Sequence, residues 1–73
     1  MKVSYRVEID REEDGRFLAE VMELPGVMAY GCSAEEALAH VQALALRVLA
    51  DQLDHDEGPR GPVSVQFETS AAA

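Results

Sequence analysis

The stretch ELPGVMAYGCSAEEAL, residues 23–38, decides the fold. Pro25 and Gly26 suit the two central positions of a type II turn, where glycine supplies the positive φ. Leu24 precedes the proline and is pushed toward extended geometry. Residues 27–30 then read as a short strand, and Gly31 ends it. Ser33-Ala34-Glu35-Glu36 fits a capping box, with Ser33 as the cap and Glu36 reaching back. Two acids in the first turn also complement the helix dipole. Turn, strand, stop and helix start follow one another, and every punctuating residue has a folding role.

Downstream, the helix is predicted over residues 34–53, roughly 30 Å long at 1.5 Å per residue. Ala37, Leu38, Val41, Leu44, Ala45, Val48 and Leu49 form a stripe at helical spacing. A second stripe, Ala39, Ala43, Leu46, Ala50 and Leu53, lies round the back. One sheet covers only one side of a helix, so this second stripe is expected to serve as an oligomer interface. Residues 54–61, DHDEGPRG, break the helix with Gly58 and Pro59. Val63, Val65 and Phe67 then alternate as a fourth strand, with Pro62 at its start.

Upstream, Val3, Tyr5, Val7 and Ile9 alternate with Lys2, Ser4, Arg6, Glu8 and Asp10, the period of a strand with one buried face. Phe17, Ala19 and Val21 repeat the pattern after Asp14-Gly15. A two-residue loop would set Ile9 against Glu20. A three-residue loop, Glu13-Asp14-Gly15, sets Ile9 against Ala19 and Val7 against Val21, so it should win. It asks Gly15 for the left-handed conformation.

The expected fold is therefore α+β, in the order β-β-β-α-β. It has two layers, a four-stranded mostly antiparallel sheet with one helix packed on one face. Residues 1–69 form a single domain and residues 70–73 a disordered tail. The other sheet face stays open and carries Lys2, Arg6, Glu8 and Glu20 together with Leu18 and Met22. Such a half-apolar face is a second candidate for a partner surface.

At 73 residues, the chain hides only about 60% of its unfolded surface, so its core is marginal. The lone Cys32 cannot close an intramolecular disulfide and fits a reducing compartment. No apolar stretch resembles a signal peptide or a membrane span. A soluble, cytoplasmic chain is expected. Fourteen acids against six bases give a formal charge of −8. Phosphate backbones repel such a surface, so direct nucleic-acid binding is not expected. A basic protein partner suits it, because opposite fields steer encounter.

Residues 14–38, DGRFLAEVMELPGVMAYGCSAEEAL, resemble the HicB-like antitoxin family. The matching positions are Asp14, Gly15, Phe17, Leu24, Pro25, Gly26, Gly31, Ser33, Glu35, Glu36 and Ala37. Cys32 stands where the family often has an acid. The element order also resembles that family's N-terminal domain, a partial ribonuclease-H-like fold. The resemblance implies binding rather than catalysis. HicB-like antitoxins silence a small basic HicA-like toxin, of double-stranded-RNA-binding-like fold, that cuts messenger RNA. Members commonly add a C-terminal DNA-binding segment, and none is legible here after the fourth strand. Glu12, Glu13, Asp14, Leu18, Glu20, Met22 and Glu23 are the candidate partner contacts.

A ribonuclease-H-type nuclease needs carboxylates converging on divalent metals. Glu8, Asp10, Glu36 and Asp51 are not expected to converge. His40 with Glu36 and Arg47 with Asp51 are spaced as surface pairs on the helix. His55, among Asp54, Asp56 and Glu57, lacks a recognisable ligand spacing for a metal. Cys32 sits at a helix N-terminus, where thiols are acidified, without a predicted histidine beside it. Met22 and Met28 are expected to pack on the sheet. The expectation is a non-enzymatic interaction domain without cofactor or metal, working as a homodimer or larger. The alternatives are a small dimeric enzyme or ligand-binding protein, with Cys32 or His40 at an intersubunit site, or a structural oligomer.

Overall fold

Five elements follow in chain order: β1 (Lys2–Arg11), β2 (Phe17–Val21), β3 (Met28–Gly31), α1 (Ala34–Asp54) and β4 (Ser64–Ala71). The computed structural model describes residues 1–71. The strands form one mixed sheet in the order β3-β2-β1-β4. β1 pairs antiparallel with β2, and β2 with β3, while β4 returns from the helix parallel to β1.

The hairpin takes the register that keeps one face apolar. Val7 lies opposite Val21 and Ile9 opposite Ala19. The Glu12 amide donates to the Arg16 carbonyl at 2.7 Å, and the Gly15 amide to the Glu12 carbonyl at 3.0 Å. Glu13-Asp14-Gly15 is thus the loop, and Gly15 takes the left-handed φ of 91°. At the second turn the Val27 amide donates to the Leu24 carbonyl at 3.0 Å, with Gly26 at φ 86°. That is the expected Pro25-Gly26 turn.

The helix begins as its cap dictates. The Glu36 amide donates to Ser33 Oγ at 3.1 Å. Glu36 differs from the expected box in one detail. Its Oε1 accepts from the amide of Cys32 at 2.9 Å, one residue before the cap, so it ties the end of β3 to the helix. Gly31 explains the tight junction. A Cβ built there would collide with the Ala37 amide nitrogen and stand 2.9 Å from its Cα. Only a residue without a side chain lets strand and helix meet this closely.

The buried set is Tyr5, Val7, Ala19, Val21, Val27, Ala37, Val41, Ala45 and Leu49. The helix buries the predicted inner stripe. Alanines at 19, 37 and 45 keep it near the sheet, and the largest fully hidden side chains are valines. The core is therefore thin. It packs chiefly against β3 and β2, less against β1, and leaves β4 outside the main helix footprint. The radius of gyration, 13.0 Å, exceeds the roughly 11 Å of a compact chain of this length.

Two expectations are corrected at the C-terminal half. First, Gly58 and Pro59 do not end the helix. A Schellman motif closes it earlier, with the Glu57 amide donating to the Gln52 carbonyl at 2.7 Å and the Asp56 amide to Leu53 at 3.2 Å. Asp56 occupies the left-handed position, φ 55°. Second, residues 70–73 are not all tail. β4 runs through Ala71, which pairs with Ile9, because parallel pairing to β1 satisfies its backbone; positions 72–73 lie outside the described residues.

Two substitutions test this frame by urea unfolding. Gly31→Ala is expected to destabilise the domain by about 1–3 kcal/mol, the cost of overpacking a closed junction. Asp56→Gly is expected to stabilise it by about 0.5–1 kcal/mol, since glycine takes the left-handed position without strain and removes an acid from a helix C-terminus.

Candidate functional site

The sheet face turned away from α1 is an exposed surface of mixed chemistry. Register places its occupants. Glu8 stands opposite Glu20, Asp10 opposite Leu18, Leu18 opposite Tyr30, and Glu20 opposite Met28. Lys2, Ser4 and Arg6 continue the face along β1 beside Ser64, Gln66 and Glu68 of β4. Met22, Met28 and Tyr30 are 41%, 42% and 45% exposed. Leu18 and Glu20 are half-buried. Met28 is thus corrected from sheet packing to open surface: its position in β3 puts it on the pleat opposite Ala29, which packs inward.

Electrostatics divide the acids of this region into two kinds. Some are already held. Glu23 accepts from the Arg6 backbone amide at 2.7 Å and from Arg6 Nε at 3.0 Å. Asp14 accepts from the Arg16 amide at 3.0 Å and Arg16 Nε at 2.7 Å. In both cases the backbone amide is the larger cause, ahead of the guanidinium, of a carboxyl held below its ordinary value. The arginine of Arg16 also lies 4.3 Å from the centre of the Tyr30 ring, so the hairpin loop leans on β3.

Glu8 and Glu20 are the other kind. They face each other across β1 and β2, and among the described residues neither belongs to an ion pair. Like charges directly opposite on a sheet are destabilising. Of the candidate partner contacts, then, Leu18, Glu20 and Met22 share the open face, Glu13 and Asp14 sit in the adjoining hairpin loop, and Glu12 directly precedes it. Asp14 and Glu23 are occupied by arginines of the same chain. Glu8, Met28 and Tyr30 share the open face but are not among the candidate contacts. The hairpin register alone, once chosen, already sets Glu8 against Glu20.

The second helix stripe lies on solvent. Ala39, Ala43, Leu46, Ala50 and Leu53 are all exposed, Leu46 at 45% and Leu53 at 39%. The expected pairs on the helix do not form. His40 Nδ1 lies 3.0 Å from the Tyr30 carbonyl oxygen, which only accepts, so the ring donates. Glu36 is engaged at Cys32, and Asp51 stands 3.5 Å from His55 rather than against Arg47. His40 and Glu36 found backbone partners, and Asp51 found the C-cap histidine one turn on, while Arg47 joins no ion pair among the described residues.

Glu8 and Asp10 lie on the open face of the sheet, whereas Glu36 and Asp51 are on the helix that covers the other face, at its two ends. Among the described residues no group of three or more histidine, cysteine or acidic side chains is placed to hold a metal ion, and no pocket is formed. Cys32 is a free, exposed thiol. No helix among them is long and apolar enough to cross a membrane. Comparison of the chain with protein-family models, curated proteins and solved structures finds no match.

Acid titration tests the Glu23 contact. Its carboxyl is held below the ordinary 4.5, so its contribution is fully present above that pH and is lost as pH falls through the lowered value. Wild type is expected to exceed Glu23→Gln in urea stability at pH 7. The gap should close progressively below about pH 4.5, read by circular dichroism at each pH.

Proposed function

We propose that the chain is a non-catalytic interaction domain whose open sheet face docks a small basic protein and neutralises it by occlusion. This is the role the resemblance to HicB-like antitoxins implies, with a HicA-like toxin as the partner. The observation that carries the reading is the Glu8–Glu20 opposition. Two carboxylates face each other, neither joins an ion pair among the described residues, and Leu18, Met22, Met28 and Tyr30 share their face. The free domain accepts a small electrostatic cost there. A lysine or arginine from a partner removes it, and the apolar rim supplies the dehydrated contact area that binding surfaces concentrate near their centre. The formal charge of −8 steers a basic protein toward the domain from a distance.

The reading ties stability to binding with opposite signs. Glu20→Gln should raise the urea stability of the free domain by a few tenths of a kcal/mol, because it ends the like-charge opposition. The same change should weaken the complex with a HicA-like toxin about tenfold, near 1.4 kcal/mol, and restore part of the toxin's RNA cleavage. Binding is measured by titration calorimetry over a salt series, and affinity is expected to fall as salt rises. Absence of any complex at low salt, or unchanged affinity in Glu20→Gln, sinks the proposal.

A further inference from the structure

The two edges of the sheet differ. β3 is four residues long and ends at Gly31, pressed under the helix. β4 is eight residues long, SVQFETSA, with no proline, lysine or glycine inside it. Natural edges are usually shielded by shortness, charge, proline or a bulge. β4 has one charge, Glu68, and none of the other devices, and it lies outside the helix footprint.

The outward hydrogen-bonding groups of this edge are identified by one contact. The Ser64 amide donates to the Met1 carbonyl at 2.9 Å, so Ser64 turns its backbone toward β1. Alternation along the strand then turns Gln66, Glu68 and Ser70 the same way. Val65, Phe67 and Thr69 present their amides and carbonyls to the open edge. Their side chains lie on the helix side, where Val65 is 36% exposed and Val3 and Phe67 are only half-buried.

From this the geometry points to a second copy of the chain as the occupant of the edge. The two β4 strands pair antiparallel about a two-fold axis through Phe67. In that register Val65 faces Thr69 of the second copy, and Gln66 faces its Glu68. Within one chain Gln66 Nε2 already donates to Glu68 Oε1 at 3.1 Å, so the amide is suited to that carboxylate. An axis through Glu68 would oppose two carboxylates and is disfavoured. Charge also selects the edge. On a surface of formal charge −8, β4 carries one ionisable side chain, so two copies meet here without stacking acid on acid. About six new main-chain hydrogen bonds form across the axis. The half-covered Val3, Val65 and Phe67 of each copy become one apolar strip on the helix side. The result is a continuous eight-stranded sheet with a helix near each end and both open faces still free. Two eight-residue edges make an interface below the roughly 1,600 Å² of standard size, so a weak, reversible dimer is expected.

This inference stands apart from the proposed docking of a basic protein and uses the opposite strand edge from β3. Sedimentation equilibrium of the whole chain is expected to show a monomer–dimer equilibrium in the micromolar range. It should tighten as salt rises from about 50 to about 500 mM, because screening relieves repulsion between like-charged copies. Salt acts on the basic-partner complex in the reverse sense, which keeps the two failures distinguishable. Thr69→Pro removes an outward amide without touching the bonds to β1, and it should leave a folded monomer by circular dichroism. Val65→Lys, which leaves the backbone intact, should weaken the dimer at least tenfold. Leu46→Glu should leave it unchanged. In a Cys32→Ser background, the double variant Val65→Cys, Thr69→Cys should form a covalent dimer on mild oxidation. A chain that stays monomeric at high micromolar concentration overturns the inference. So does a dimer that Leu46→Glu dissociates while Val65→Lys does not, for its interface is then the outer stripe of the helix.

Discussion

The approach of Gly31 to the first turn of α1 governs this molecule. A backbone pressed against a backbone leaves almost no freedom in where the helix starts, and Ser33 and Glu36 lock that start from both sides. Because the junction lies at one edge strand, the helix is laid over β3 and β2 rather than over the middle of the sheet. The small residues Ala19, Ala37 and Ala45 let it settle there. Coverage of one side of the sheet is consequently uneven. Tyr5 and Phe67, whose rings lie 5.6 Å apart, extend the core toward β4 without a helix above to finish it.

Much of this was legible in the residues. Alternation over β1 and β2, together with the demand that Ile9 meet Ala19, determines both the hairpin register and the three-residue loop. Pro25-Gly26 and the Ser33–Glu36 box place the second turn and the helix start. These signals are local, and each rests on a conformation that few residues tolerate. The helix end was placed within one residue of Asp54, but its cause was misread, because Gly58 and Pro59 are stronger breakers on paper than Asp56. In the folded chain the carbonyls of Gln52 and Leu53 find partners first, and an aspartate takes the left-handed turn.

The surface was harder to read, for a physical reason. A list of acids does not say which of them already have a partner. Asp14 and Glu23 read as free negative charge, yet Arg16, two positions from Asp14, and Arg6, seventeen positions from Glu23, hold them through both backbone and side chain. Glu8 read as one outward residue of the open face among several, yet pairing sets it directly against Glu20. Charge on a small domain is a property of pairs, and the pairs exist only once strands have chosen their neighbours. The same holds for the helix, whose outer leucines are exposed simply because one sheet has one covered face.

The placement of the tyrosines has an optical consequence. The chain has two and no tryptophan, so its near-ultraviolet emission comes from two rings in unlike surroundings. Tyr5 is sealed in the interior, while Tyr30 lies on the open face under the guanidinium of Arg16. Replacing either ring by phenylalanine leaves a single-colour probe, one reporting the integrity of the interior and the other the occupancy of the surface. The domain thus carries separate intrinsic signals for unfolding and for contact, without a dye attached.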